Sequence, residues 1–335
     1  MSQTSNGRRR ILGMLGATAA YGTLESRMAW AAESAGDKAF PTRPLRLVVP
    51  FTPGGGTDVV GRSLAAAMSE ALGQSIVVDN RPGGGTVIGT NIVAKAKPDG
   101  YTLLLTTTAL AINDALIKDL PYDTSRDFSD VGLICVGPNV VVTHPKGRIK
   151  TVDALIRFAK ANPGKLTYGS SGNGSAVHLA AELFQMKAGI TMTHIPYKGA
   201  AQAYTDLAGG RLDFVFATAG GVAKYVDDGT LQAVALTSKE RTPAYEGVPT
   251  IAEFVPGYSA EVWYAILAPA GTPRPITAKL NEALNKAAND PAYKARVAAD
   301  GMKVAAGSPE EMRTFRLDEQ ARWRDVIRDG KITTT

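Results

Sequence analysis

The stretch Pro50-Phe51-Thr52-Pro53-Gly54-Gly55-Gly56-Thr57-Asp58 decides the fold of this chain of 335 residues. It lies between an apolar run, Leu45–Val49, and an amphipathic segment, residues 59–72. This order predicts a strand, a glycine-rich turn and a helix. Glycine allows positive φ and a close approach to a ligand, and the helix start directs unpaired N–H groups and its positive dipole end at the turn. The first glycine corner, residues 50–58, is therefore suited to an anion.

A second corner of the same construction lies about 120 residues later, Tyr168-Gly169-Ser170-Ser171-Gly172-Asn173-Gly174-Ser175. We call residues 168–175 the Gly-Ser corner. We expect the two corners to face each other across a cleft and to hold a small carboxylate. The stretch Pro82-Gly83-Gly84-Gly85-Thr86 repeats the motif of residues 53–57, which indicates one strand-turn-helix unit used twice.

Composition indicates a globular chain, with 44% hydrophobic and 20% charged residues. At this length two lobes are expected. Three of the six net positive charges come from residues 1–31, through Arg8, Arg9, Arg10, Arg27 and Glu25. The remaining charge is small and no basic run is interleaved with aromatic residues, so nucleic-acid binding is not expected.

Residues 1–31 have the pattern of an export signal. Arg8 to Arg10 form a basic start, residues 11–24 a short apolar region, and Ala29-Trp30-Ala31 a small-x-small cleavage site. The adjacent arginines fit the twin-arginine route, and a general secretory signal is the alternative. The expectation is a periplasmic protein that is cleaved near Ala31.

Apolar runs alternate with helical patterns along the rest of the chain, which predicts an α/β fold with mostly parallel, doubly wound sheets. Two apolar segments lack room for a helix, at residues 128–144 and 260–268, and we interpret them as strands crossing between lobes. The predicted lobes are residues 41–140 plus 262–335, and residues 141–261. Two long helices are expected to end the chain, the last with a capping box at Ser308 and Glu311.

Nucleotide binding, metal binding and hydrolysis are the alternatives to carboxylate binding. Neither glycine corner matches a P-loop or a dinucleotide fingerprint, so no cofactor is predicted. The three histidines, His144, His178 and His194, have no metal-ligand spacing. A secreted serine hydrolase using Ser171 or Ser175 with His178 is the main alternative, although the G-x-S-x-G elbow is absent. His178 near a helix start also fits a structural or ligand-contacting role as a neutral ring.

Small polar side chains and backbone N–H groups are the expected binding groups, since neither corner contains Lys or Arg. Asp58 has two interpretations of equal standing, as a hydrogen-bond acceptor for the ligand or as a first-turn carboxylate favoured by the helix dipole. Phe51 and Tyr197 are candidates for aromatic walls.

The motifs together resemble the Bug-type periplasmic receptors of tripartite tricarboxylate transporters. The resemblance runs in order from about Pro44 to the C-terminus and includes residues 50–58, 79–85 and 169–175, His178-Leu179, Tyr197-Lys198-Gly199, Gly210-Arg211-Leu212-Asp213, Val248-Pro249-Thr250 and residues 268–273. It implies a type II periplasmic-binding-protein fold, with two lobes that close on a small di-, tri- or aromatic carboxylic acid.

The resemblance also implies partners and site residues. The partner is a tripartite tricarboxylate-type membrane permease, with a membrane sensor as the alternative, and a monomer is expected. Carried over by position, the ligand-binding residues are Phe51, Thr52, Gly54, Gly55, Thr57, Asp58, Thr106, Ser170, Ser171, Gly174, Ser175 and His178. Thr52 departs from the small apolar residue or proline common in the family. Tyr197, Ala217, Thr218 and Ala219 are candidates for the distal pocket that selects the ligand.

Overall fold

The computed structural model describes residues 40–333, of which residues 43–333 belong to one compact unit. The export signal predicted at residues 1–31 lies outside the described residues. The strands are β1 Leu45–Val49, β2 Ile76–Asn80, β3 Thr102–Thr107, β4 Phe128–Thr143, β5 Thr167–Ser170, β6 Thr193–Pro196, β7 Phe214–Thr218, β8 Gln232–Leu236, β9 Glu261–Pro269 and β10 Lys303–Val304. The helices are α1 Gly56–Leu72, α2 Val87–Ala94, α3 Ala109–Leu116, α4 Val152–Ala161, α5 Ala176–Ala188, α6 Ala200–Ala208, α7 Ala219–Asp227, α8 Arg274–Ala288, α9 Pro291–Ala299 and α10 Pro309–Gly330.

One mixed sheet runs through the structure, in the order β2-β1-β3-β9-β4-β7-β5-β6, with β8 and β10 also pairing with β4. Pairing is parallel among β2, β1 and β3 and again among β6, β5 and β7. It is antiparallel wherever β4 or β9 takes part. The alternation of strands and helices predicted the two parallel groups, and the long antiparallel strands that separate them are the segments interpreted as crossing strands.

The long strand β4 divides the sheet into two halves. Its first part, up to Pro138, pairs with β9 and β10, and its second part, from Asn139, pairs with β7 and β8. We call the β2-β1-β3-β9-β10 side the first half and the β6-β5-β7-β8 side the second half. This is the predicted two-lobed architecture, while the lobe boundaries at residues 140/141 and 261/262 remain predictions.

A small hydrogen-bonded cluster lies where the halves join. The Asn139 backbone N–H donates to Thr237 Oγ1 at 2.8 Å, and the Thr237 hydroxyl donates to the Ala260 carbonyl at 2.7 Å. The Thr237 N–H donates back to the Asn139 carbonyl at 3.0 Å. Buried backbone groups at the middle of β4 and before β9 are thereby satisfied.

The last helix, α10, is fastened to the first half by buried polar contacts. Arg316 Nε and Nη2 donate to the two carboxylate oxygens of Asp130 at 2.8 and 2.9 Å, a bidentate pair. Glu319 Oε2 accepts from the indole nitrogens of Trp263 and Trp323 at 3.0 and 3.2 Å. The capping box at Ser308 and Glu311 is confirmed.

Three local predictions were wrong or incomplete. The C-terminal region has three helices rather than two, because Asp290 caps a new helix at Pro291. The helix α3 was not predicted, and it buries residues 109–113 directly after β3. The two apolar runs at residues 131–136 and 140–143 form one continuous strand, β4, with register shifts near Gly132 and Cys135.

Candidate functional site

The first glycine corner connects β1 to α1. Gly54 has φ +79°, which glycine adopts without strain, and Gly55 is the N-cap of α1 with no side-chain cap. Asp58 folds back onto the corner, where its carboxylate accepts from the Gly54 N–H at 2.9 Å, from Arg62 at 3.0 Å and from Asn80 at 2.9 Å. Burial acts to raise the pKa of Asp58, but these hydrogen bonds outweigh it and the net pKa is lowered. In this structure Asp58 shapes the corner.

The Gly-Ser corner connects β5 to α5 and has its own internal supports. Ser175 is the N-cap of α5: its Oγ accepts from the His178 N–H at 3.3 Å and donates to the Gly172 carbonyl at 2.7 Å. Gly172 and Gly174 have φ of +121° and +74°. The turn therefore depends on glycine at these two positions and on a capped helix start.

A stack of three rings lies behind the Gly-Ser corner. The His178 and His194 rings are 4.2 Å apart and nearly parallel, and Tyr168 stacks on the other face of His194 at 4.8 Å. The Gly174 N–H donates to His178 Nδ1 at 3.2 Å, and Ser170 Oγ lies 2.7 Å from His194 Nε2. Burial lowers the pKa of His178 to about 3 and that of His194 to about 4. Both rings are consequently neutral at pH 7.

This geometry does not arrange Ser175 and His178 as the nucleophile and base that the alternative serine hydrolase would need. His178 Nδ1 accepts from a backbone N–H, and Ser175 Oγ is engaged with a backbone carbonyl and as an N-cap. No nucleophile–base hydrogen bond links Ser175 to the His178 ring, and neither His178 nor His194 lines the cavity between the corners.

A third corner, which the sequence did not predict as a site, connects β2 to α2. We call residues 82–86 the second glycine corner. Gly83, Gly84 and Gly85 all have positive φ, and so does Thr86 at +86°. Asn113 of α3 donates to the Gly85 carbonyl at 2.7 Å and to Thr86 Oγ1 at 3.1 Å. The repeated Pro-Gly-Gly-Gly-Thr motif was the signal that could have placed this corner in the site.

The three corners open onto one cavity of about 650 Å³. The two halves approach closely around it. A Cβ added at Gly85 would lie 2.7 Å from the Asn173 carbonyl oxygen, one at Gly199 would lie 2.5 Å from Thr52 Oγ1, and one at Gly56 would collide with Thr218 Oγ1. Backbone from both halves therefore forms the walls. Residues lining the cavity are Pro50, Phe51, Thr52, Gly55, Gly56, Thr57, Pro82 to Thr86, Ser171, Gly172, Asn173, Ser175, Val177, Pro196 to Ala200, Phe216, Ala217 and Thr218.

The cavity is apolar in its walls and carries little side-chain charge. Phe51, Val177 and Phe216 supply apolar surface, and so does the ring of Tyr197, whose hydroxyl donates away to Asp206 at 2.6 Å. Among the lining residues no carboxylate occurs and Lys198 is the single charged side chain. Lys198 is exposed and forms no ion pair within the described residues. Five helix starts, those of α1, α2, α5, α6 and α7, have their first residues or N-caps in this lining. Such an arrangement attracts an anion.

The predicted site residues fall into two groups. Those that line the cavity are Phe51, Thr52, Gly55, Thr57, Ser171, Ser175, Tyr197, Ala217 and Thr218. Those outside the lining are Gly54, which is exposed at the turn, and the buried residues Asp58, Thr106, Ser170, Gly174, His178 and Ala219. Thr106, for example, is a buried residue of β3 that pairs with Ala265. Lining residues outside the prediction include Lys198 and Gly199, which belong to the Tyr197-Lys198-Gly199 motif, and Val177 and Phe216, which no motif marks.

Metal sites and membrane spans are both absent from residues 40–333. No group of three or more His, Cys, Asp or Glu side chains in this range is arranged to hold a metal ion. No helix of the same range has both the length and the apolar character needed to cross a bilayer.

The two-halved sheet with a cavity between the halves defines a solute-binding protein of the periplasmic type. A family profile described as tripartite tricarboxylate transporter family receptor, TctC, matches residues 60–332. The chain belongs to this family and is of the Bug type. Protein BugT of Bordetella pertussis is 39% identical over 293 residues, which cover 87% of this chain and 90% of BugT.

Solved structures agree with the family assignment. The R. palustris protein Rpa4515, solved with adipate, has 36% identity and a TM-score of 0.84, and the match covers 88% of this chain and 99% of that one. MatC (Rpa3494) from Rhodopseudomonas palustris, solved with bound malate, has 30% identity and a TM-score of 0.81, with 86% and 100% coverage. Both relatives hold carboxylates.

Proposed function

We propose that this protein is an extracytoplasmic receptor that captures a small carboxylate between its two halves and delivers it to a tripartite tricarboxylate-type membrane transporter. The observation that carries the proposal is the cavity itself. Glycine-rich corners and five helix starts converge on it, from both halves, and no carboxylate side chain lines it. Family membership and the ligands of the two structural relatives support the same class of ligand.

The interactions that the cavity offers are strong enough for useful affinity. Micromolar binding requires about −8 kcal/mol. A hydrogen bond to a charged group contributes roughly 1.5–3 kcal/mol, and a helix start adds about 0.3–1 kcal/mol. Four to six donors from the corners therefore suffice after ordering costs, provided that the halves close and exclude water.

The role proposed for each predicted residue depends on whether that residue lines the cavity. Thr52, Gly55, Thr57, Ser171 and Ser175 are proposed to contact the ligand directly, with Phe51, Tyr197 and Thr218 as walls or distal contacts. Residues outside the lining are proposed to act by holding the corners in shape: Gly54, Asp58, Thr106, Ser170, Gly174 and His178.

The cellular part of the proposal rests on the sequence and the family. Export is proposed to be directed by residues 1–31, with cleavage near Ala31, and the site of action to be the periplasm. The proposed partner is a membrane permease that recognises the closed, loaded form, and the receptor is proposed to act as a monomer.

Ligand-induced thermal stabilisation tests the proposal. The mature protein is heated alone and with a panel of mono-, di- and tricarboxylates and aromatic acids. A ligand at a hundredfold excess over its Kd should raise the free energy of unfolding by about 2.7 kcal/mol. A panel in which no acid shifts the melting temperature at any concentration, while matched amines or sugars do, would overturn the proposal.

A further inference from the structure

A buried carboxylate lies where the two halves touch outside the ligand cavity. Asp300 follows the last residue of α9 in the first half and is 2% exposed. It faces the start of α7 in the second half, residues 217–221, which we call the α7 corner. A Cβ added at Gly220 would lie 2.6 Å from Asp300 Oδ2, so the carboxylate rests directly on the backbone of α7. Neither Asp300 nor Gly220 lines the ligand cavity.

The next residue makes a second contact between the halves. A Cβ added at Gly301 would lie 3.0 Å from Thr242 Cγ2 and 3.5 Å from the Tyr245 ring. Tyr245 belongs to the hydrophobic core of the second half, and its hydroxyl donates to the Ala219 carbonyl at 3.0 Å. The turn at residues 300–301 thus fits between α7 and residues 242–245. Separation of the halves would remove this cover and admit water to the Asp300 carboxylate.

The Asp300 carboxylate is incompletely satisfied in this buried position. Its Oδ1 atom has no hydrogen-bond partner within residues 40–333. Its Oδ2 atom lies 3.5 Å from the guanidinium of Arg296, which is itself half exposed. Burial of a poorly paired carboxylate favours the neutral form. Burial outweighs the attraction of Arg296, and the net pKa of Asp300 is raised above its ordinary value of 3.8.

The other groups packed around Asp300 carry no charge that would hold it ionised. Burial raises the pKa of the titratable groups beside it, which stay neutral between pH 4 and 8: Cys135 of β4, Tyr245, Tyr264 of β9 and Tyr293 of α9. The neighbouring side chains of α1 are uncharged: Val59, Val60 and Ser63. The positive end of the α7 dipole favours the ionised form, but no N–H group donates to Oδ1 within the described residues.

We propose that Asp300 couples closure of the halves to proton uptake, so that the closed, loaded receptor holds a proton at this carboxylate and its ionisation favours opening. The inference rests on the proposed receptor function and adds a control of its affinity. Asp300 does not touch the ligand and acts as a positioning residue between the halves. Because the buried carboxyl holds its proton more tightly than the hydrated one, affinity should fall as the pH rises from about 3.8 through the raised pKa, and then stay level.

The test compares the wild-type protein with Asp300→Asn, whose amide has the shape of the protonated carboxyl. The probe is the acid that gives the largest thermal shift among acetate, benzoate, succinate, malate, adipate and citrate. Calorimetry measures its affinity for both proteins between pH 4.5 and 8. At pH 8 Asp300→Asn should bind about three- to tenfold more tightly than the wild type, and this ratio should fall toward one as the pH falls. Titration of the probe itself is the same for both proteins and cancels in the ratio.

Proton counting and a charge control separate this effect from a general one. Calorimetry in buffers of different ionisation enthalpy should show that the wild type takes up more protons on binding near pH 5 than Asp300→Asn does. Asp228→Asn removes the same charge from an exposed position at the other end of α7. It should change the affinity less than twofold at every pH, because the overall field on an anionic ligand changes little.

A second variant tests the contact itself without changing charge. Gly220 lies in the first turn of α7, and the methyl group of Gly220→Ala would meet Asp300 Oδ2 when the halves are closed. Gly220→Ala should weaken the same probe about fivefold. In an Asp300→Ala background the obstructing oxygens are absent, so the same substitution should weaken binding much less.

Failure of this inference and failure of the receptor function give different results. If Asp300→Asn binds the probe no more tightly than the wild type at pH 8, or if the ratio does not change with pH, the coupling to Asp300 is wrong while the receptor function stands. Wild-type affinity in Gly220→Ala would likewise show that the contact is not part of closure. If no acid of the panel binds, the receptor function itself is wrong and this inference fails with it.

Discussion

The Gly-Ser corner and the α7 corner both bring a helix start to the cavity, but they satisfy their polar groups differently. At the Gly-Ser corner, Ser175 caps the helix and the neutral His178 ring accepts the Gly174 N–H. At the α7 corner, residues 217–221, Thr218 makes no cap hydrogen bond to its helix, and the Thr218 hydroxyl lies beside the buried hydroxyl of Tyr204. The first corner is complete before any ligand arrives. The second has no side-chain cap at its helix start, so the two corners differ in what the chain itself supplies to the helix N-terminus.

The largest expected effect tests whether neutral histidines complete the Gly-Ser corner. The native pKa values of His178 and His194, about 3 and about 4, lie below the ordinary value of 6.5. Below pH 6.5 the unfolded state therefore binds protons that the native state does not, and stability falls as the pH falls. Between pH 6.5 and 4.5 each histidine should cost about 2 kcal/mol of unfolding free energy, measured by urea denaturation.

Variants separate these histidines from other titrating groups. His194→Phe should lose about half of the pH dependence, whereas His144→Ala, remote from the ring stack, should retain all of it. Asp58 has a lowered pKa, so it contributes only at pH values near and below its ordinary 3.8. An unchanged pH dependence in His194→Phe would show that the ring stack is not the source.

The sequence predicts those features of the two corners that depend on neighbouring residues, and it does not predict those that depend on contacts between distant elements. Glycine spacing, a serine before a helix and an amphipathic run are local patterns, so the strand-corner-helix units at residues 45–72 and 167–188 could be predicted. The ring stack could not, because Tyr168, His178 and His194 come from three elements and meet only through the pairing of β5 with β6. The α7 corner is harder still, since Tyr204 and Tyr264 reach it from α6 and β9.

Asp58 illustrates the same limit at a single residue. Its place in the first turn of α1 left a ligand contact and a structural role equally plausible. A partner that the sequence did not reveal is Asn80, which comes from the end of β2 and donates to Asp58 Oδ1 at 2.9 Å. Only the parallel pairing of β1 with β2 brings Asn80 beside the first glycine corner.

A second, intermediate effect sharpens the comparison by testing what both corners share, the closure of the halves. Gly199 has extended backbone, φ 178° and ψ 157°, which alanine adopts freely, but its added Cβ would lie 2.5 Å from Thr52 Oγ1 across the cavity. Gly199→Ala should weaken every carboxylate ligand about tenfold, or about 1.4 kcal/mol, with little change in unliganded stability.

The control for closure is a double-mutant cycle measured by calorimetry. In a Thr52→Ala background the obstructing oxygen is absent, so Gly199→Ala should lower the ligand affinity much less than it does in the wild-type protein. Wild-type affinity in Gly199→Ala would mean that the halves need not approach so closely at this point.

The smallest effect addresses the two helix starts directly. Ser175→Ala removes a side-chain cap and should lower the free energy of unfolding, without ligand, by about 1 kcal/mol. Thr218→Ala removes a threonine that makes no cap hydrogen bond, so its unliganded effect should stay within about 0.5 kcal/mol. Urea denaturation of both variants measures the difference. If the two substitutions lower the free energy of unfolding equally, the α7 corner is as complete without ligand as the Gly-Ser corner.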